Sequence, residues 1–173
     1  METMSTTSSL RQLLYEDVSR MISAEMLLKS SVLGWINKGN SASLKMLMLG
    51  YQDVVEKHIR QLGAFRREEQ ITACIPSNGV MSAFIADADD RLFACTRPEV
   101  RDVCLLSAIQ SINHFKISVY GTMAAFAGAV RLEKAGLMFH QAELDEKEID
   151  ERLSYLAEHE LNRKAMSPAA ATE

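Results

Sequence analysis

The residues that could do chemistry in this chain are polar side chains standing where apolar ones are expected. Steps alternating three and four trace one apolar stripe along each of four long segments. The first reads Leu14, Val18, Met21, Glu25, Leu28, Val32 and the second Leu44, Met48, Tyr51, Val55, His58, Leu62, Phe65. The third reads Leu106, Ile109, Asn113, Lys116, Tyr120, Met123, Ala127, Val130 and the fourth Phe139, Ala142, Glu146, Ile149, Leu153, Leu156. Tyrosine hydroxyls apart, each stripe is interrupted near its middle, by Glu25, by His58, by Asn113 with Lys116, and by Glu146. A buried charge without a partner costs several kcal/mol, so such residues must be paired, hydrogen-bonded or bound to something.

The elements that would bring them together follow from the punctuation of the chain. Ser9, with Gln12 three residues on, forms a capping-box pattern that opens a helix ending near Asn37, stopped by Lys38-Gly39-Asn40. Ser41 or Ser43 starts a second helix, reaching about Gln70, and Ile75-Pro76-Ser77-Asn78-Gly79 is the clearest break. A shorter helix spans about Val80 to Ala94. Thr96 is expected to cap the next helix, with Pro98 in its first turn, and this helix should reach about Arg131. Gly136 is read as the following joint, and a last helix runs from about Leu137 to Lys164. Residues 1–8 and 166–173 read as flexible ends around a domain of residues 9–165. Four helices, each about 40 Å long, joined pairwise by short turns, predict an all-α antiparallel four-helix bundle with an additional short crossover helix. In such a bundle the helix middles share one level, so the five interrupting residues should meet.

Composition narrows the function classes. The 173 residues are 47% hydrophobic and 24% charged, as in ordinary globular proteins, and 8 Gly with 3 Pro offer too few turns for an all-β fold. A net charge of −4 supplies no bulk positive field, so neither nucleic acid nor membrane is an expected partner. No apolar run reaches the roughly 18 residues of a membrane span, and no signal peptide is visible, which suggests a cytoplasmic protein. Cys74, Cys95 and Cys104 form no CxxC and fit a reducing compartment. Neither a P-loop, a dinucleotide fingerprint nor a nucleophile elbow is present.

Glu and His turned inward from all four helices resemble the ferritin-like di-iron carboxylate proteins. Several segments resemble, more narrowly, the YciE/YciF-like family of bacterial stress-associated ferritin-like proteins. They are Ser23-Ala24-Glu25, the His58-to-Leu62 run, His114 to Thr122 with its Tyr120-Gly121-Thr122, Leu144-Asp145-Glu146-Lys147, and Glu99-Val100-Arg101-Asp102. The likeness runs from about Leu10 to Ala165. It implies the ferritin-like fold, a cytoplasmic stress-associated role and a homodimer. In that family the third long helix usually reads Glu-His-x-Glu, where this chain has Asn113-His114-Phe115-Lys116. Both glutamates are replaced, one by an amide and one by a cation, whereas Glu25, His58 and Glu146 match the inward pattern.

Two readings follow. In the first, the di-metal site is degenerate and a buried network of Glu25, His58, Asn113, Lys116 and Glu146 replaces it, in a protein that is not an enzyme and needs no cofactor. Lys116 would stand where cations stand in a metal-binding relative, and a protonated His58 would bring the cluster to neutrality. In the second, iron or manganese is retained on Glu25, His58 and Glu146, joined by His114 if its helix is rotated, with an oxidoreductase or metal-storage role. Neither reading names a substrate. Asp87, Asp89, Asp90 and Arg91 read as a solvated face. Met81, Phe84, Ile85 and Leu92-Phe93 form an apolar face that covers the bundle or supplies a dimer contact. Arg60, Arg66 and Arg67 form a basic spot offset at once by Glu68 and Glu69.

Overall fold

The computed structural model describes residues 8–72 and 74–166. Its helices are α1 (Leu10–Lys38), α2 (Ala42–Glu68), α3 (Gly79–Ala94), α4 (Pro98–Ala129) and α5 (Glu133–Leu156). A π-helical turn, Ala157–Leu161, and a final helix α6, Asn162–Met166, continue α5. The flexible ends expected at residues 1–8 and 166–173 fall outside the described residues, apart from Ser8 and Met166. Among the described residues no helix is long and apolar enough to cross a membrane.

The starts of the first three helices are chemically explicit. Ser9 Oγ accepts from Gln12 N, Ser41 Oγ from Leu44 N and Asn78 Oδ1 from Met81 N, each satisfying an otherwise orphaned donor. The reciprocal half of the expected capping box belongs to Ser8, whose N–H and Oγ both donate to Gln12 Oε1. Thr96 does not cap α4. Its N-cap is Arg97, without a side-chain bond, and Pro98 at the first position needs no donor satisfied.

The joint between α4 and α5 also lies elsewhere than expected. Arg131, at φ 62°, turns the chain, while Leu132 N–H donates to Ala127 O and Arg131 N–H to Gly128 O. This is a Schellman closure with an arginine in the left-handed position that glycine usually fills. Gln70, at φ 53°, closes α2 in the same way, with Ile71 N–H on Arg66 O and Gln70 N–H on Arg67 O. Gly136 lies inside α5 instead, where a Cβ would come within 3.6 Å of Ala124 O and 3.7 Å of Gly128 N. These are ordinary van der Waals distances, so a methyl group there would be accommodated.

α1 pairs with α2 and α4 with α5, and the two pairs face each other through α1 against α4 and α2 against α5. Contacts between ends fix the directions. Arg11 at the start of α1 donates to Val130 O at the end of α4, and Asn40 and Ser41 meet Asp102 at its start. α1 and α4 are therefore antiparallel, and α2 and α4 run the same way. The chain must return along the whole bundle between them, and α3 is that return. It lies along α1, tied by Asn78 Nδ2 to Arg20 O at one end and by Asp89 Oδ1 to Trp35 Nε1 at the other. Asp89, with 47% of its side chain still exposed, thus also anchors α3 to α1. Met81, Ala88 and Leu92 bury the inner side of α3, while Phe93, 94% exposed, points away from it.

The four stripes are buried along their length, with Val130 at the end half-buried. The π turn keeps the last stripe in phase beyond Leu156. A regular helix would turn residue 160 inward. The extra residue in the turn buries Leu161 and leaves Glu160 at the rim, accepting from Ser41 Oγ at 3.0 Å.

Candidate functional site

Glu25 on α1, His58 on α2, Asn113 and Lys116 on α4, and Glu146 on α5 meet at mid-height in the bundle, each 0% exposed. Lys116 is the centre. Its Nζ lies 2.6 Å from Glu146 Oε1 and 3.0 Å from Glu25 Oε2, bridging the two carboxylates. It also donates to Tyr51 Oη at 3.3 Å and sits 4.7 Å above that ring. Asn113 Nδ2 donates to Glu146 Oε2 at 2.7 Å and to Glu146 O at 2.9 Å, which fixes the side chain of α5 to α4.

The imidazole of His58 is surrounded by carboxylates. Nδ1 lies 3.3 Å from both Glu25 Oε1 and Glu146 Oε1, and Nε2 lies 3.1 Å from Asp145 Oδ2. Carboxylate oxygens only accept, so both ring nitrogens carry protons and the ring is an imidazolium. Burial alone would lower the His58 pKa, but the hydrogen bonds to Glu146 and Glu25 outweigh it and raise the value to about 9. Burial would likewise raise the Glu25 carboxyl. Lys116, with His58 and Tyr120, holds it below its ordinary value. Lys116 is pushed above its ordinary value, because Glu146 and Glu25 outweigh the desolvation of its ammonium. Two negative and two positive groups therefore neutralise one another within the core.

Three further residues complete the cluster, and sequence reasoning did not assign them to it. Tyr120 Oη donates to Glu25 Oε1 at 2.6 Å, and Tyr51 Oη to Glu146 Oε2 at 3.2 Å. Burial, with Glu146 for Tyr51 and Glu25 for Tyr120, keeps both phenols well above their ordinary range and therefore protonated. Both stand on the traced stripes, where a buried hydroxyl requires a partner. Asp145 stands off the stripe. It links His58 to Lys57, 2.6 Å away at the half-exposed rim. Burial would raise its pKa, but Lys57, Gln141 and His58 together lower it.

His114 is not in the cluster. It lies on the outer face of α4, 3.1 Å from Asp150, with 65% of its side chain exposed. The inward rotation of α4 that would have recruited it does not occur, because Asn113 and Lys116 already face the core. His140 contacts Glu143 and His159 contacts the Tyr155 carbonyl, both at the surface. Cys95 and Cys104 touch at the joint between α3 and α4, and burial, reinforced by Cys95, pushes the Cys104 thiol up, away from nucleophilic behaviour.

A di-metal centre of the ferritin-like kind is tested by these contacts. One ligand atom from each of Glu25, His58 and Glu146 lies within 4.8 Å of the others, a separation that could hold one ion. The space between the two carboxylates, however, belongs to the Lys116 ammonium, and both nitrogens of His58 are engaged by carboxylates.

Residues 9–166 match the family described as "Domain of unknown function (DUF892)". The chain belongs to the DUF892 family. Protein YciF of Escherichia coli (strain K12) is 33% identical over 89 residues, 51% of this chain and 54% of that protein. The aligned part thus spans about half the length of this curated relative. Two solved structures share this bundle. The E. coli stress protein YciF superposes with a TM-score of 0.83 at 22% identity, covering 91% of this chain and 99% of that one. YcfI from Rhodopseudomonas palustris does so with 0.83 at 16%, covering 88% and 97%. At these identities the two structures establish the common fold.

Proposed function

We propose that this DUF892 protein is a non-enzymatic, stress-associated structural protein, in which an internal ion-pair network stands in place of a di-metal centre. The observation that carries this reading is Lys116 Nζ between Glu25 and Glu146, with His58 donating from both nitrogens. A tethered ammonium supplies the positive charge that paired inward carboxylates otherwise take from metal ions. The four charged side chains are closed to solvent and already answer one another. The network then acts on the protein itself. It joins all four long helices at one level and makes their register specific, because any slip would strand a buried charge.

Metal content per chain tests this, measured after purification without chelator or nickel resin and again after incubation with Fe(II) or Mn(II). A ratio near zero in both is the expected result. A stable ratio of one or two would overturn the reading in favour of an ion on Glu25, His58 and Glu146. That competing reading rests on the short separation of their ligand atoms, and it requires Lys116 to leave and His58 to lose a proton. The homodimer and the cytoplasmic location implied by the family likeness belong to the same proposal, and light scattering of the purified chain checks the first.

A further inference from the structure

Arg60 and Arg67, near the end of α2, escape the neutralisation that their neighbours in sequence imply. Glu68 and Glu69 follow Arg66 and Arg67 directly, yet both acids turn to the opposite side of the helix. Glu68 pairs with Lys134 at 3.6 Å, and Glu69 accepts from Tyr15 at 2.5 Å and meets Arg11 at 3.4 Å. Both line a separate cavity of about 490 Å³ against α5. On their own side, Arg60, Arg66 and Arg67 edge an open groove of about 650 Å³ that no Asp or Glu among the described residues lines. Its apolar wall is Ile22, Ile59, Ile71 and Ile75, with Gly63 between the arginines. Among the described residues no carboxylate lies within ion-pair distance of Arg67, and the one nearest Arg60 is Glu56 at 3.9 Å, itself held by Lys29 at 3.0 Å.

We propose that this groove is a binding site for a small amphipathic oxyanion, a phosphate or carboxylate head on an apolar body. Guanidinium groups present planar donor pairs that match such heads. The isoleucines supply the contact that inorganic anions cannot use, and the volume falls within the roughly 300–1,000 Å³ of small-molecule sites. Gly63 keeps the groove open. It stands in mid-helix, where a Cβ would meet only Arg67 Nη1, at 3.6 Å, so a larger side chain there is accommodated by the helix and would project into the site.

Calorimetric titration with hexyl phosphate, hexanoate, inorganic phosphate and hexyltrimethylammonium tests the proposal, and isoleucine methyl NMR locates the binding. Hexyl phosphate or hexanoate should bind saturably, at least about tenfold tighter than either the inorganic anion or the alkyl cation, and the stronger of the two identifies the head group. Arg60→Gln with Arg67→Gln should weaken it by about tenfold or more. Gly63→Leu should remove the advantage of the alkyl anion over inorganic phosphate. Glu68→Gln, on the opposite side of α2, should leave the affinity unchanged. The proposal fails if neither alkyl anion saturates, if the double variant binds as the parent does, or if the alkyl cation binds equally well. It fails equally if binding appears only on phosphatidylglycerol vesicles, which would make the groove a membrane contact.

Discussion

The middle of the bundle and the end of α2 are built from the same kinds of charged residues and treat them in opposite ways. At mid-height every charge is desolvated, so each is answered at contact distance, Lys116 by two carboxylates and His58 by three. At the end of α2, water screens Arg60 and Arg67, and the adjacent acids pair elsewhere. Burial, and not the residue types, decides whether a charge must carry its counter-charge with it. The first region is therefore a fixed structural element, and the second is left able to bind.

The sharpest way to break this contrast is to remove one charge from the closed region. Lys116→Met should destabilise the fold by about 3–5 kcal/mol, read by urea unfolding, because two buried carboxylates lose their common partner. A loss below about 1 kcal/mol would mean that the core admits water and the contrast is false. Next is the response to alkali. His58 has a folded-state pKa of about 9, raised above its ordinary 6.5. Its contribution is complete below pH 6.5 and is lost as the pH rises through 9, on the order of 2–3 kcal/mol in all. Stability measured from pH 6 to 10 should fall accordingly, and His58→Gln should flatten the fall.

Asp102 is buried and answered by backbone N–H groups. It accepts from Asn40 N–H at 2.7 Å and Ser41 N–H at 2.8 Å. Asp102→Ala should cost about 2 kcal/mol in the same urea assay by orphaning both donors. At the lower end of the scale, Arg60→Gln with Arg67→Gln should shift stability by no more than about 0.5 kcal/mol. A larger effect would show that the groove arginines serve the fold.

Much of this could be read from the chain itself. The stripes are local in sequence, and a period near 3.6 is dictated by helix geometry, so the four long helices, their inward faces and the five residues at their middles follow from spacing alone. The breaks at Lys38-Gly39-Asn40 and Ile75 to Gly79 were legible because glycine, proline and asparagine have strong local preferences. The end of α4 near Arg131 was legible too, but the joint itself was placed at Gly136, since an arginine in the left-handed position sends no signal that α5 starts directly after it, at Glu133. The π turn at Ala157–Leu161 was equally silent, because Leu161 becomes an inward residue only once the bundle is closed.

The sequence by itself determined which polar residues stand on the four inward stripes, because helical periodicity is a property of each segment alone. Only the tertiary structure decided what each of them touches. That Lys116 bridges Glu25 and Glu146, that Asp145 reaches His58 from beside the stripe, and that Glu68 and Glu69 turn away from the arginines they follow all depend on where one helix meets another. Such distances between segments remote in the chain are set by packing, and no local pattern encodes them.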